Sequence, residues 1–147
     1  MDTLLILCGF LCGFVQAPTR VTGLATYYEP GDGHSGKQLG CVSAARSLLG
    51  SAEFRTGLPV VATRGRRRPF YCGQVVRVSN RRTGLSTLAI KLDLGSFSCY
   101  APDGKRIVAL RCPVGWQRKA IVDLTRHVSR LIQHNGLETV PVESVDA

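Results

Sequence analysis

Short runs of β-branched and aliphatic residues recur along the chain, separated by polar or glycine-bearing turns. They are Leu24 to Tyr28, Leu58 to Thr63, Gln74 to Ser79, Leu85 to Asp93, Ile107 to Leu110 and Thr139 to Glu143. Each has the length of a strand, and Asn80-Arg81-Arg82-Thr83-Gly84 between two of them reads as a hairpin loop ending in glycine. Two stretches keep helical spacing instead. Val42 to Leu49 places Ala45, Leu48 and Leu49 on one face and stops at Gly50. Asp123 to Gln133 carries an apolar face of Leu124, Val128, Leu131 and Ile132, with Asp123 or Thr125 to cap it and Asn135-Gly136 to end it. Strands outnumber helices and do not alternate with them, which predicts a mainly β protein: a small closed barrel with one or two short helical connections. Residues 94–120 read as a long loop region bounded by cysteines, and residues 144–147 as a tail.

The amino end follows a different pattern. Leu4 to Val15 is uncharged and almost wholly apolar, too short to span a membrane, and Val15-Gln16-Ala17 suits cleavage. Residues 1–17 are therefore expected to be a signal peptide, 18–143 the folded domain, and the protein secreted. Neither Leu7 before Cys8 nor Leu11 before Cys12 is the small residue a lipoprotein signal needs, so no stable membrane anchor is expected once the leader is gone. The remaining chain is one domain's worth of polypeptide: the whole has 147 residues, 44% hydrophobic and 20% charged, which excludes disorder. The net charge is +9, from 19 Lys and Arg against 10 Asp and Glu, and losing Asp2 with the leader makes it +10.

Removing the leader also removes Cys8 and Cys12, leaving Cys41, Cys72, Cys99 and Cys112. Four cysteines in a secreted domain read as two disulfides, with three connectivities open. Their spacing, and that of His34, His127 and His134, does not suit zinc, so neither metal nor cofactor is expected.

Five segments in register resemble the double-psi β-barrel family of barwin, expansins and rare lipoprotein A. Gly23-Leu24-Ala25-Thr26-Tyr27-Tyr28 looks like that family's opening strand. Cys72-Gly73-Gln74-Val75-Val76-Arg77-Val78-Ser79-Asn80, running on to Thr83-Gly84, is close to the barwin Cys-Gly motif and its Thr-Gly turn. Leu88 to Asp93 resembles the strand ending in an aspartate, Ile121 to Thr125 the Asp-Leu-Ser segment, and Gly136 to Glu143 the closing strand. The resemblance implies a six-stranded double-psi barrel, and it implies pairing of Cys41 with Cys72, which leaves Cys99 with Cys112.

It also implies candidate site residues. Asp123 matches the acid of barrel-type endoglucanases, although a capping carboxylate is the competing role. Asp93 matches a second family aspartate; the competing role is a strand-end acceptor of backbone hydrogen bonds. Glu29 and Asp32 fall near the place of a catalytic base, and a solvated turn explains them equally well. Tyr28 is a candidate platform for sugar stacking, and so, from its place in an otherwise polar loop that the resemblance does not reach, is Trp116. Against cleavage, Arg46 stands where the transglycosylases of this family carry a histidine, and Lys37-Gln38 where they carry a glutamate. An arginine stays protonated and cannot shuttle a proton.

Three functions are therefore on offer. The first is binding, and non-hydrolytic loosening, of a cell-wall polysaccharide, acidic polymers included, by a monomer. The second is glycan cleavage with Asp123 as acid and Asp93, Glu29 or Asp32 as partner. The third is a secreted effector or inhibitor using the basic run Arg64-Gly65-Arg66-Arg67-Arg68 with Arg81-Arg82. No nucleic-acid module organises those arginines, so no nucleic-acid partner is expected.

Overall fold

The computed structural model describes residues 17–27, 40–41, 56–95, 98–136 and 138–145. Six strands close a barrel: β1 (Arg20–Tyr27), β2 (Val60–Thr63), β3 (Val75–Ser79), β4 (Ser86–Leu94), β7 (Ala120–Leu124) and β8 (Glu138–Ser144). Two more, β5 (Ser98–Tyr100) and β6 (Arg106–Val108), form a separate antiparallel pair between β4 and β7. One helix among the described residues, α1 (Arg126–Leu131), follows β7.

Around the barrel the order is β1-β7-β2-β4-β3-β8, with β8 returning to β1. The β1–β7 and β2–β4 pairs are parallel and the rest antiparallel. Mapping β1, β2 and β3 onto β4, β7 and β8 in chain order carries every neighbour relation onto another of the same sense. The barrel is thus two interlocked three-strand halves, the double-psi arrangement. Each parallel pair carries one register shift, between Leu24 and Ala25 against β7 and between Val61 and Ala62 against β4.

Alternation fills the interior. In β3, Val76 and Val78 are buried while Arg77 between them is exposed; in β7, Val122 and Leu124 point in. Small and β-branched side chains suit so narrow a barrel: Ala25, Val61, Ala89, Val140 and Val142 complete the wall, with Phe70, Val128 and Ile132 joining from outside the strands. The helix supplies Val128 and its C-cap supplies Ile132, and it packs against β2, β4 and β7. Pro141, which lacks an N–H, lies within β8 just past the last residue that pairs with β3, so no ladder bond is forfeited on that side.

Two expectations need correction. Ile107 to Leu110 is not a barrel strand: Arg106–Val108 pairs with β5 outside it, and the sixth barrel strand is Ala120–Leu124. The helix accordingly begins at Arg126 and not at Asp123. Leu124 fitted the helical stripe with Val128 and Leu131, but over so few residues a period of two and one of 3.6 are indistinguishable. Asp123 is therefore no cap. Thr125 occupies the N-cap position, yet its hydroxyl donates to the Val60 carbonyl at 2.8 Å and makes no cap bond. The proposed helix Val42 to Leu49 lies outside the described residues.

The disulfides join Cys41 to Cys72 and Cys99 to Cys112, with Cα separations of 5.5 and 5.4 Å. A polar clamp fastens the β3–β4 loop to the end of α1 and the start of β8. Arg82 pairs with Glu138 and donates to the Gln133 carbonyl at 2.6 Å; Asn80 Nδ2 donates to Glu138 Oε2 at 3.1 Å and to the Ile132 carbonyl at 3.1 Å. Thr83 donates to that same carbonyl at 2.9 Å, which satisfies the helix end in place of intrahelical bonds. His134 is half-buried beyond the helix, its ring facing the Gly136 and Glu138 N–H groups at 3.1 and 3.2 Å.

The clamp sets a pH dependence. The Arg82 guanidinium, bonded to Glu138, holds that carboxyl down at about 2 from an ordinary 4.5. Between those values the unfolded chain binds more protons, so stability falls as pH drops through this window. Burial likewise lowers His134 below 6.5, so its protonation adds to the loss at acid pH. In thermal melts from pH 6 to pH 2, Arg82→Ala is expected to show a smaller drop in Tm below pH 4.5 than the wild type; parallel curves would show that the pair contributes nothing.

Candidate functional site

On the wall of the barrel β2 runs between β7 and β4, and Ala62 is the register partner of Asp123 on one side and of Asp93 on the other. Directly opposed residues of neighbouring strands project to the same face, so the three share one, and Thr26, opposite Asp123 on β1, joins them. That face is outward, because Ala25, Val61 and Val122, one position away on their strands, lie in the core. Two strand spacings, about 9.6 Å, separate the backbones of the two aspartates.

The two carboxylates have different surroundings. The Asp123 Oδ1 accepts a hydrogen bond from the Thr26 hydroxyl. Gly95, leaving β4, crosses directly over its other oxygen: a Cβ there would lie 2.6 Å from Asp123 Oδ2 and 3.4 Å from the Ala62 Cβ. Only glycine lets the backbone approach a carboxylate so closely. Thr26, Ala62 and Gly95 are buried and Asp123 is half-buried, which makes this a lined recess in the wall.

Asp93 works as a latch. Its Oδ1 accepts from the backbone N–H of Gly40 at 2.8 Å and of Leu94 at 2.9 Å, while Cys41 N–H donates to the Leu92 carbonyl at 3.1 Å. Together with the Cys41–Cys72 bridge these bonds hold residues 40–41 against β4. This is the strand-end role weighed for Asp93 from the sequence.

Lys91, two residues before, is a group that sequence reasoning missed. Opposite Val61, it faces the barrel interior and is fully buried. Its ammonium donates to the Thr63 carbonyl at 3.0 Å, the Thr63 hydroxyl at 2.6 Å and the Gly65 carbonyl, a full set for three N–H donors. Burial lowers its pKa to about 8, with the Asp93 charge acting in the opposite sense. The bonds fix the start of the loop that follows β2, from which Arg64, Arg66, Arg67 and Arg68 project into solvent. A lysine in an inward-facing position of an otherwise apolar strand was the available signal.

The remaining candidates are placed as follows. Trp116 is half-buried on the connection entering β7, closing a turn in which its N–H bonds the Pro113 carbonyl at 3.0 Å. Tyr28, Glu29 and Asp32 lie outside the described residues, as do His34, Lys37, Gln38 and Arg46. Tyr27, at the end of β1 next to Thr26, is exposed, and its hydroxyl accepts from Arg126 Nε at 3.4 Å. A second concavity, about 150 Å³, is lined by Tyr100, Ala101, Pro102, Gly115, Gln117 and Lys119. Among the described residues no group of His, Cys, Asp or Glu is arranged to hold a metal ion.

No family model matches the chain, and no curated protein matches it in sequence.

Thr26 and Gly95 act on one carboxylate, and that coupling is measurable. Thr26→Val removes the donor, and Gly95→Ala pushes the carboxylate away from it. Each is expected to lower stability by about 1–2 kcal/mol in urea denaturation, as for a lost hydrogen bond to a charged group. The double variant is expected to lose less than the sum, since both act through the same bond. Strict additivity would refute the arrangement.

Proposed function

We propose that the protein is a secreted double-psi barrel protein of the barwin, expansin and rare lipoprotein A kind that binds cell-wall polysaccharide at the Asp123 recess and loosens it without hydrolysis. The observation that carries this reading is the commitment of the Asp93 carboxylate to backbone hydrogen bonds. Glycoside cleavage by a carboxyl pair needs one protonated acid and one ionised base or nucleophile, each directed at the bond. Asp93 already serves the backbone of Gly40 and Leu94, which counts against it as the second carboxyl of a cleaving pair. A single buried-edge carboxylate with a hydroxyl beside it suits hydrogen bonding to sugar hydroxyls. The paired cysteines agree with an oxidising compartment.

One observation favours the cleavage reading: Asp123 and Asp93 flank Ala62 on a common face of the wall. The two readings part in a single experiment. The protein is incubated with insoluble cellulose, chitin, pectin and peptidoglycan, and retention and released sugar are both assayed. Retention on one polymer, weakened about tenfold by Asp123→Asn as for a charge-assisted hydrogen bond, with no reducing or anhydro sugar released, is the expected outcome. Sugar release abolished by Asp123→Asn would replace binding with catalysis. Failure to be retained on any polymer would leave the effector or inhibitor reading, on the arginine face.

A further inference from the structure

The β5–β6 insertion contributes nothing to barrel closure, and its surface is of an unusual kind. All three residues of β6 are exposed. Beyond it Leu110 is 83% exposed and Val114 fully so, with Val108 at 54%. Monomeric proteins scatter exposed aliphatics singly, whereas these crowd one small module.

The module is also built so that they cannot fold back. Cys99–Cys112 bridges its base. The Arg118 guanidinium donates to the carbonyls of Ala109 and Leu110 at 2.9 and 2.8 Å, fixing the segment that carries Leu110. Gly115, at φ +82°, closes the turn that sets Val114 at its corner, and the Tyr100–Gln117 bridge ties that turn to β5. Around these side chains the sequence from 98 to 119 places Lys105, Arg106, Arg111, Arg118 and Lys119 against Asp103 alone. Burial lowers the Arg118 pKa, and the charge of Arg64 in the loop after β2 lowers it further, so the arginine loop extends the same positive field.

We propose that this module docks the protein onto an anionic lipid bilayer, with Leu110 and Val114 entering the boundary between headgroups and acyl chains and the surrounding cations lying on the charged surface. Charge decides the sign of the partner. Shape decides its kind: the aliphatics stand on a turn and a hairpin end, not in a groove. A bilayer needs no preformed complement, only apolar insertion combined with cationic attraction. A second copy of the chain would set these cations against their own kind. Beside the turn, the concavity lined by Tyr100 and Lys119 adds a buried tyrosine hydroxyl with no hydrogen-bond partner among the described residues, and an ammonium 6.0 Å from the tyrosine ring centroid. The exposed Lys119 ammonium is a donor suited to a headgroup phosphate.

Trp116, the only tryptophan of the chain, sits within the module and reports on it directly. The full, disulfide-intact protein is mixed with vesicles of phosphatidylcholine alone or with phosphatidylglycerol, the acyl chains brominated to quench fluorescence. Quenching of Trp116 is expected with the anionic vesicles, weakened by added salt, and absent with phosphatidylcholine alone. Leu110→Ser with Val114→Ser should weaken it roughly tenfold or more, from the lost apolar insertion, with unchanged melting. Arg106→Glu with Arg111→Glu should abolish it, and Asp123→Asn should leave it intact, which separates this surface from the polysaccharide recess. No quenching on anionic vesicles overturns the proposal, as does quenching that survives the serine pair. Self-association in sedimentation that the serine pair removes would overturn it in favour of a second copy.

Discussion

The register shift between β2 and β4 is the constraint on which the rest of the molecule depends. Strict alternation would put Lys91 and Asp93, two residues apart, on the same side of the barrel. Because β2 pairs Val61 with Lys91 but Ala62 with Asp93, the extra residue turns the strand over between them. Lys91 then points inward to hold the loop after β2, and Asp93 points outward to hold residues 40–41. One irregularity anchors two connections on opposite faces of the wall.

The shift also brings β4 out at the level where β7 presents Asp123. Ala62 becomes the common neighbour of both aspartates, and the chain leaving β4 turns over the Asp123 carboxylate at Gly95, where a side chain has no room. The recess is therefore a product of strand order and register. Its residues come from β1, β2, β7 and the exit of β4, and no two of those strands are consecutive except β1 and β2. What closes the opposite side is polar: the Arg82–Glu138 clamp secures β8, the last strand in the chain, and so the ring as a whole. Stability at acid pH and barrel closure are linked through that pair.

The insertion between β4 and β7 stands apart from this logic. Its order comes from a disulfide, an arginine tied to two carbonyls and a glycine turn, with little apolar burial of its own. Such a module can display aliphatic side chains that a self-packed loop would withdraw, and the barrel supplies a rigid base for it. The proposed recess and the proposed docking surface thus rest on separate supports and can be altered independently.

Much of the fold was legible in the chain. Period-two alternation located β3 and β4 to within a residue or two, the glycine-ended polar segment located the hairpin between them, and the cysteine count anticipated two bridges. Asp123 and Asp93 stood out as candidates because acids are few and the segments that carry them resemble those of the barrel family. Other features were not legible, for definite reasons. Ala120–Leu124 is too short for its period to distinguish strand from helix, so the sixth barrel strand and the true start of α1 were assigned together and wrongly. The roles of Thr26, Gly95 and Lys91 depend on partners from 28 to 97 positions away in the chain. Sequence alone fixes which residues can be buried and which can carry charge, because that follows from the side chains themselves. Which face each strand turns, and which carboxylate is latched to backbone and which meets a hydroxyl, only the closed barrel decides, because both follow from register between strands distant in sequence.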